Sequence, residues 1–187
     1  MTSFKATVTA LTFALASTTA FAAAHSENPM VGGAEMLVER NIVENAVNSP
    51  IHTTLVAAVQ AADLVETLQG EGPFTVFAPV NDAFAALPEG TVETLLKPEN
   101  KAMLQKVLTA HVVAGDWSSA DIIAAAQSSA DGFYHFEAVS GDALSAQVRG
   151  DNVYIYDESG NAALVTVADV DQSNGVIHVV NAVLVPK

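Results

Sequence analysis

Gly72–Pro88 reads GPFTVFAPVNDAFAALP, and this stretch decides the fold. Thr75–Ala78 is a short β-prone run that stops at Pro79, which cannot donate to a sheet ladder. Asn81 stands where a helix N-cap is expected, and Phe84 and Leu87 fall on one face of the turn that follows. Outward from this block, the chain closes on a second one, Asn174–Pro186 (NGVIHVVNAVLVP). There Val176–Val180 and Ala182–Val185 form β-branched runs between Gly175 and Pro186. The spacing predicts that Phe74, Phe77, Phe84, Ile177 and Val179 are buried and that both blocks meet in one core.

The two blocks, with Ala110-His111-Val112-Val113 between them, resemble the fasciclin domain family of secreted adhesion modules. The resemblance covers residues 41–186 and implies an α+β fold, a twisted β-sandwich or wedge with several helices packed along one side. It also implies adhesion or matrix contact without chemical turnover. His111 and His178 match the family's recurrent histidines. Many members carry Tyr-His where this chain has Ala110-His111, a region implicated in integrin recognition in animal matrix members. Asn181 stands where aspartate is common, and Val80 where threonine is frequent.

Residues 1–24 read as an export signal, with Lys5 at the positive end, an apolar run over Ala6–Thr19, and Ala22-Ala23-Ala24 as the cleavage site. Ala20-Phe21-Ala22 has the same form, and the run is too short to span about 30 Å of hydrocarbon. Residues 25–40 form a flexible leader, and 41–187 one domain. With no cysteine, an exported chain must hold itself together by burial alone. The net charge is −14, from 7 basic and 21 acidic residues. A chain so acidic repels phosphate backbones and anionic headgroups, which argues against nucleic acid and direct membrane insertion. The expectation is a monomer that contacts a protein or glycan on a cell surface or matrix, secreted or periplasmic.

Helical spacing is predicted over Ala34–Val47, with Ile42, Val43, Ala46 and Val47 on one face. A second helix begins at a cap supplied by Thr53 or Thr54, others follow over Gly90–Leu96 and Glu99–Thr109, and a small one is capped by Ser118 or Ser119. His111–Val113 is a strand candidate. From Phe133 the character is β, with strands over Phe133–Val139, Leu144–Arg149, Asn152–Tyr156, Ala163–Val170 and Val176–Val185. Gly150-Asp151 makes a tight hairpin between two of them. Helices first and strands later argue α+β over alternating βαβ units.

Five histidines invite a metal or catalytic reading. His25 lies in the leader and His52 in a loop, and His135 has no partner at ligand spacing. His111 and His178 lie in apolar β-runs, where a histidine serves the core through its ring nitrogens. Asp169–Gly175 fails as a calcium loop, because glycine stands at the seventh position and Val180 at the twelfth. Asp157–Asn161 is a hairpin turn before it is a cation site. No serine elbow, phosphate cradle or HExxH is present, so no catalytic residue, cofactor or metal is expected. The candidate adhesion surface is His111, Val112, Asp116 and Trp117, the last being the only tryptophan. An equally physical reading has Trp117 packing on its neighbouring helix. Phe77, Pro79, Asn81, Phe84, His178 and Asn181 serve structure. A small-ligand or cation-binding exported protein is the alternative function, its site the acidic turns; an unrecognised hydrolase is a third.

Overall fold

A computed structural model describes residues 28–186. The proposed signal peptide, with its cleavage site, lies outside the described residues. Within them, the two blocks of sequence become neighbouring strands. β3 (Phe74–Pro79) runs parallel to β9 (Gly175–Val180), with Phe74 opposite Gly175 and Phe77 opposite His178. Around this pair a seven-stranded sheet forms in the order β4-β3-β9-β8-β7-β6-β5. The others are β4 (Val112–Ala114), β5 (Phe133–Glu137), β6 (Ala143–Arg149), β7 (Asn152–Tyr156) and β8 (Ala162–Gln172). The sheet curls until its ends almost meet: Ala138, just beyond β5, bridges Val113 of β4. β8 makes the curl possible. Its register shifts twice between Val165 and Val170, and such bulges bend and twist a strand.

The alternation of side chains across the β3/β9 pair creates two cores. Val76, Ala78, Ile177 and Val179 face α1 (Ile42–Asn48), α2 (Thr53–Ala61) and α6 (Lys101–Thr109), meeting Ile42, Leu55, Val59, Leu104 and Leu108. Phe77 and Val180 face the curled sheet, where Leu144, Ile155 and Leu184 pack under Ile122 of α7 (Ser119–Ser128). Phe77, Phe84, Ile177 and Val179 are buried as expected, whereas Phe74 is half-buried. The expectation of one core is corrected to two, because a strand buried on both faces must serve both.

Shorter helices α3 (Val65–Leu68), α4 (Asn81–Ala85) and α5 (Thr91–Leu95) join these elements, with a 3-10 turn at Pro98–Asn100. The helix expected over Ala34–Val47 is shorter. β1 (Met30–Val31) and β2 (Ala34–Glu35) form a hairpin first, and Asn41 caps α1 by a capping box with Glu44. Of the expected face Ile42 is buried but Val47 is exposed, and Asn45 turns inward to hydrogen-bond Gln172 and the Leu37 carbonyl. Val31 and Met36, assigned to a flexible leader, lie buried in the helical core. Ala182–Val185 is no strand, although Val183 and Leu184 are buried.

Asn81 corrects a second expectation. Val80 occupies the N-cap of α4, and Asn81 is its first residue. The Asn81 side chain instead caps α2 from outside: Oδ1 accepts from the Thr54 backbone N–H at 3.0 Å and from the Thr53 hydroxyl at 3.2 Å. Its Nδ2 donates to the Pro50 carbonyl at 3.1 Å. Asn81 thereby supplies the cap assigned to Thr53 or Thr54. Ser118 caps α7 as one of the two serines was expected to, accepting from the Asp121 N–H.

Candidate functional site

The site is built from the polar residues of the two signature strands. Thr75 on β3 is fully buried, yet its hydroxyl donates to the Gly115 carbonyl at 2.8 Å and accepts from the Trp117 N–H at 2.9 Å. His178 on β9 is also buried, and its Nε2 donates to the Trp117 carbonyl at 2.8 Å. Its Nδ1 accepts from the Asp169 N–H at 3.3 Å, which assigns the neutral tautomer. The turn Ala114–Trp117 is thus clamped from beneath by one side chain of each signature. Gly115 has φ +109, and a Cβ there would stand 2.9 Å from the Trp117 indole nitrogen, so the turn needs glycine. Asp116 projects exposed from its apex. Trp117 is half-buried, its ring tilted against Tyr134 at 5.2 Å and its Nε1 donating to the Ala114 carbonyl at 3.3 Å. Packing accounts for one face of the indole.

His111 and Val112 are no part of that surface. They are 2% and 5% exposed and offer a partner no area. His111 lies at the junction of α6 and β4, where its Nδ1 donates to the Val107 carbonyl at 2.8 Å and its Nε2 accepts from the Leu184 N–H at 2.9 Å. It fastens the last buried segment to the helix end. Burial pushes its pKa down to about 4, against the opposing pull of the Val107 bond and the Asp157 charge. Burial lowers that of His178 as well, opposed by its bond to Trp117 and by the Asp169, Asp116 and Asp171 charges. His52 is not in an open loop: it is buried at the start of α2, bonds Ser49 at 2.8 Å, and has its pKa lowered by burial. His135 is exposed and does have a carboxylate partner, Asp131, four residues away at 2.9 Å.

The remaining sequence candidates resolve into structure. Pro79 ends β3, and Phe84 packs in the helical core. Asn181 is exposed and accepts from the Leu164 N–H at 2.9 Å. In the Asp157–Asn161 turn, Asp157 is buried and accepts from Ser159, Asn161 and Val185. Of Asp169–Gly175, Asp169–Gln172 end β8 and Gly175 opens β9, so the turn is Ser173-Asn174 alone; Asn174 accepts from the Ile42 N–H and donates to the Leu68 and Gly70 carbonyls. Among the described residues, no group of three or more His, Cys, Asp or Glu could hold a metal ion.

Two recesses flank the signatures. A cavity of about 40 Å³ beneath α1 and α2 is lined by apolar side chains such as Leu55, Val59 and Val76. It is far below the roughly 300–1,000 Å³ of ligand pockets and reads as a packing gap. An open polar groove of about 550 Å³ is walled by Gly70–Pro73, Asp116 and Ser173–Gly175. Asp116 overlooks it from the clamped turn.

Parallel pairing of β3 with β9, a curled sheet and histidines turned inward match what the fasciclin resemblance implied. The fasciclin domain model matches residues 50–186, and the chain belongs to that family. It is 52% identical over 145 residues to Protein sll1483 of Synechocystis sp., covering 78% of this chain and 73% of that one. It is 39% identical over 132 residues to transforming growth factor-beta-induced protein ig-h3 of Sus scrofa, covering 71% of this chain and 17% of that protein. A solved fasciclin domain pair of the insect cell adhesion molecule fasciclin I superposes with a TM-score of 0.69 at 16% identity. That match covers 78% of this chain and 50% of the other, and it shows a shared fold.

Proposed function

We propose that this protein is an exported, non-catalytic contact module that attaches a cell to another surface or to matrix through the Gly115–Trp117 turn. The observation that carries the reading is the clamp on that turn. Thr75 and His178 spend buried hydrogen bonds holding an exposed acidic apex and an indole in one geometry. A loop fixed in advance loses little entropy on binding, and this is where a contact surface gains affinity. Tryptophan is enriched at binding hot spots, and Trp117 is half-buried rather than fully covered here. Fasciclin I, whose domain pair shares this fold, is a cell adhesion molecule, which supports the same class. The partner is a protein or glycan, met by a monomer at the cell surface or in the periplasm. Among the described residues, no helix is long and apolar enough to cross a membrane.

The test compares Trp117→Ala with the wild-type protein for melting temperature and for attachment of a deletion strain complemented with each. Loss of attachment is expected in a variant that stays folded, with a melting temperature lowered by the packing on Tyr134 that is lost. A folded variant that attaches fully removes the turn from consideration. The open groove beside Asp116 favours a second reading, binding of a small polar ligand or cation. A thermal shift with Ca²⁺ or a small solute, abolished in Asp116→Asn, would decide for it.

A further inference from the structure

The ring that clamps the Gly115–Trp117 turn is titratable, and both of its nitrogens are committed to one protonation state. His178 is 1% exposed. Its Nε2 donates to the Trp117 carbonyl at 2.8 Å, and its Nδ1 accepts from the Asp169 N–H at 3.3 Å. A proton added at Nδ1 would face that N–H and set two donors against each other. The ring therefore cannot take up a proton and keep both bonds.

Asp169 is the ring's partner twice over. Its backbone has φ +55, in the left-handed region that a residue other than glycine enters at a cost. Its carboxylate accepts from the Ser119 N–H at 2.6 Å and from the Ser119 hydroxyl, at the first residue of α7. One residue thus ties the ring to the start of the helix that follows the turn. The charges acting on the ring are those of Asp169 and Asp171 on β8 and of Asp116 at the apex of the turn. β3 and β9 carry no other titratable residue, and β3 faces the ring with Phe77 at 5.7 Å. In α7, Asp121 accepts from the Ser118 hydroxyl at 2.6 Å. Burial holds the His178 pKa below its ordinary 6.5, against the Trp117 bond and the three carboxylates. The ring is neutral at pH 7 and takes a proton only in acid.

We propose that His178 and Asp169 form an acid-sensitive latch that frees the Gly115–Trp117 turn. Once Nδ1 carries a proton, its bond to the Asp169 N–H is lost and the imidazolium is drawn to the Asp169 carboxylate. That carboxylate leaves Ser119, so the turn loosens together with the start of α7, while Thr75 still holds its other side. The sign follows from the lowered pKa: the closed state is favoured above pH 6.5 and loses that advantage as pH falls through the folded pKa. The consequence for attachment rests on the reading of this turn as the contact surface. A turn no longer ordered in advance binds more weakly, so acid releases the attached cell.

Trp117 is the only tryptophan, so its fluorescence reports the turn. The test titrates the full chain from pH 7.5 to pH 4.5, following Trp117 emission beside far-ultraviolet circular dichroism, and the His178 ring nitrogens by NMR. At pH 7.5 the Nε2–H tautomer is expected. The emission should change at the pH where the ring takes its proton, with the circular dichroism unaltered. His178→Gln keeps a donor for the Trp117 carbonyl and an acceptor for the Asp169 N–H but cannot titrate, so its emission should stay constant. Attachment of the deletion strain complemented with wild type should weaken about tenfold across the same window, the scale of one hydrogen bond, and attachment with His178→Gln should not. An Nδ1–H tautomer at pH 7.5 overturns the proposal. So does an emission change that only accompanies loss of the circular dichroism, or one that persists in folded His178→Gln. If the glutamine variant does not fold, a wild-type emission change at a pH other than that of the His178 titration overturns it equally. The expected emission change with unaltered attachment upholds the latch and overturns only the reading of the turn as the contact surface.

Discussion

Replacing His111 with phenylalanine separates what this buried ring contributes by filling space from what it contributes as a hydrogen-bonding base. Phenylalanine occupies a similar volume in a site that is 2% exposed. It cannot accept from the Leu184 N–H, now bonded at 2.9 Å, nor donate to the Val107 carbonyl at 2.8 Å. The Leu184 N–H then becomes a buried orphan donor, at a cost of about 1–3 kcal/mol. A second signature is its pH dependence. The folded pKa of His111 is lowered to about 4 from 6.5. Between those values the unfolded chain binds a proton that the folded chain refuses, so stability falls as pH falls through this window. The difference is worth on the order of 3 kcal/mol, fully present above pH 6.5 and spent by pH 4. His111→Phe should therefore be less stable than wild type at pH 7.5, and its stability should decline less between pH 7 and pH 4. Urea unfolding at five pH values, followed by circular dichroism, measures both. A variant with wild-type stability at pH 7.5 and an undiminished acid slope would refute the assignment of His111 as a neutral, hydrogen-bonded core residue.

Phe77→Ala should cost about 3–5 kcal/mol, because the ring is 1% exposed and stacks on both Phe136 and His178 at 5.7 Å; a loss under about 1 kcal/mol in urea unfolding would place the ring outside the core. Asn81→Ala should cost about 1–2 kcal/mol by uncapping α2, read as a lower urea midpoint at an unchanged slope. Mass spectrometry of protein recovered from its native host should find a first residue near Ala23 or His25, and an intact Met1 in a cytoplasmic fraction would exclude export.

The strands and their punctuation were legible in sequence because they depend on neighbours in the chain. Short apolar β-prone runs bounded by turn residues mark β3, β6 and β7 nearly to the residue, whereas the last strand, expected over Val176–Val185, stops at Val180. The inward role of His111 and His178 was legible for the same reason, an apolar run on either side of each. What depended on residues far apart was not. Asn81 looks like a cap for its own helix, but 27 residues separate it from the Thr54 N–H it serves. His52 looks like a loop residue until Ser49 and the core close over it. The leader looks polar and loose, yet Val31 and Met36 find the helical core once a hairpin turns them inward.

By itself the sequence determined the class of fold, the two signature strands, the acidic balance and the absence of disulfides, each written in composition or in spacing a few residues long. Only the tertiary structure decided the surface. The parallel registration of β3 with β9 brings Thr75 and His178, 103 positions apart in the chain, beneath one turn, burying His111 and Val112 while leaving Asp116 and half of Trp117 outside. The physical reason is that burial belongs to the packed whole. A residue's exposure depends on which distant strand lies against it, and no local pattern records that.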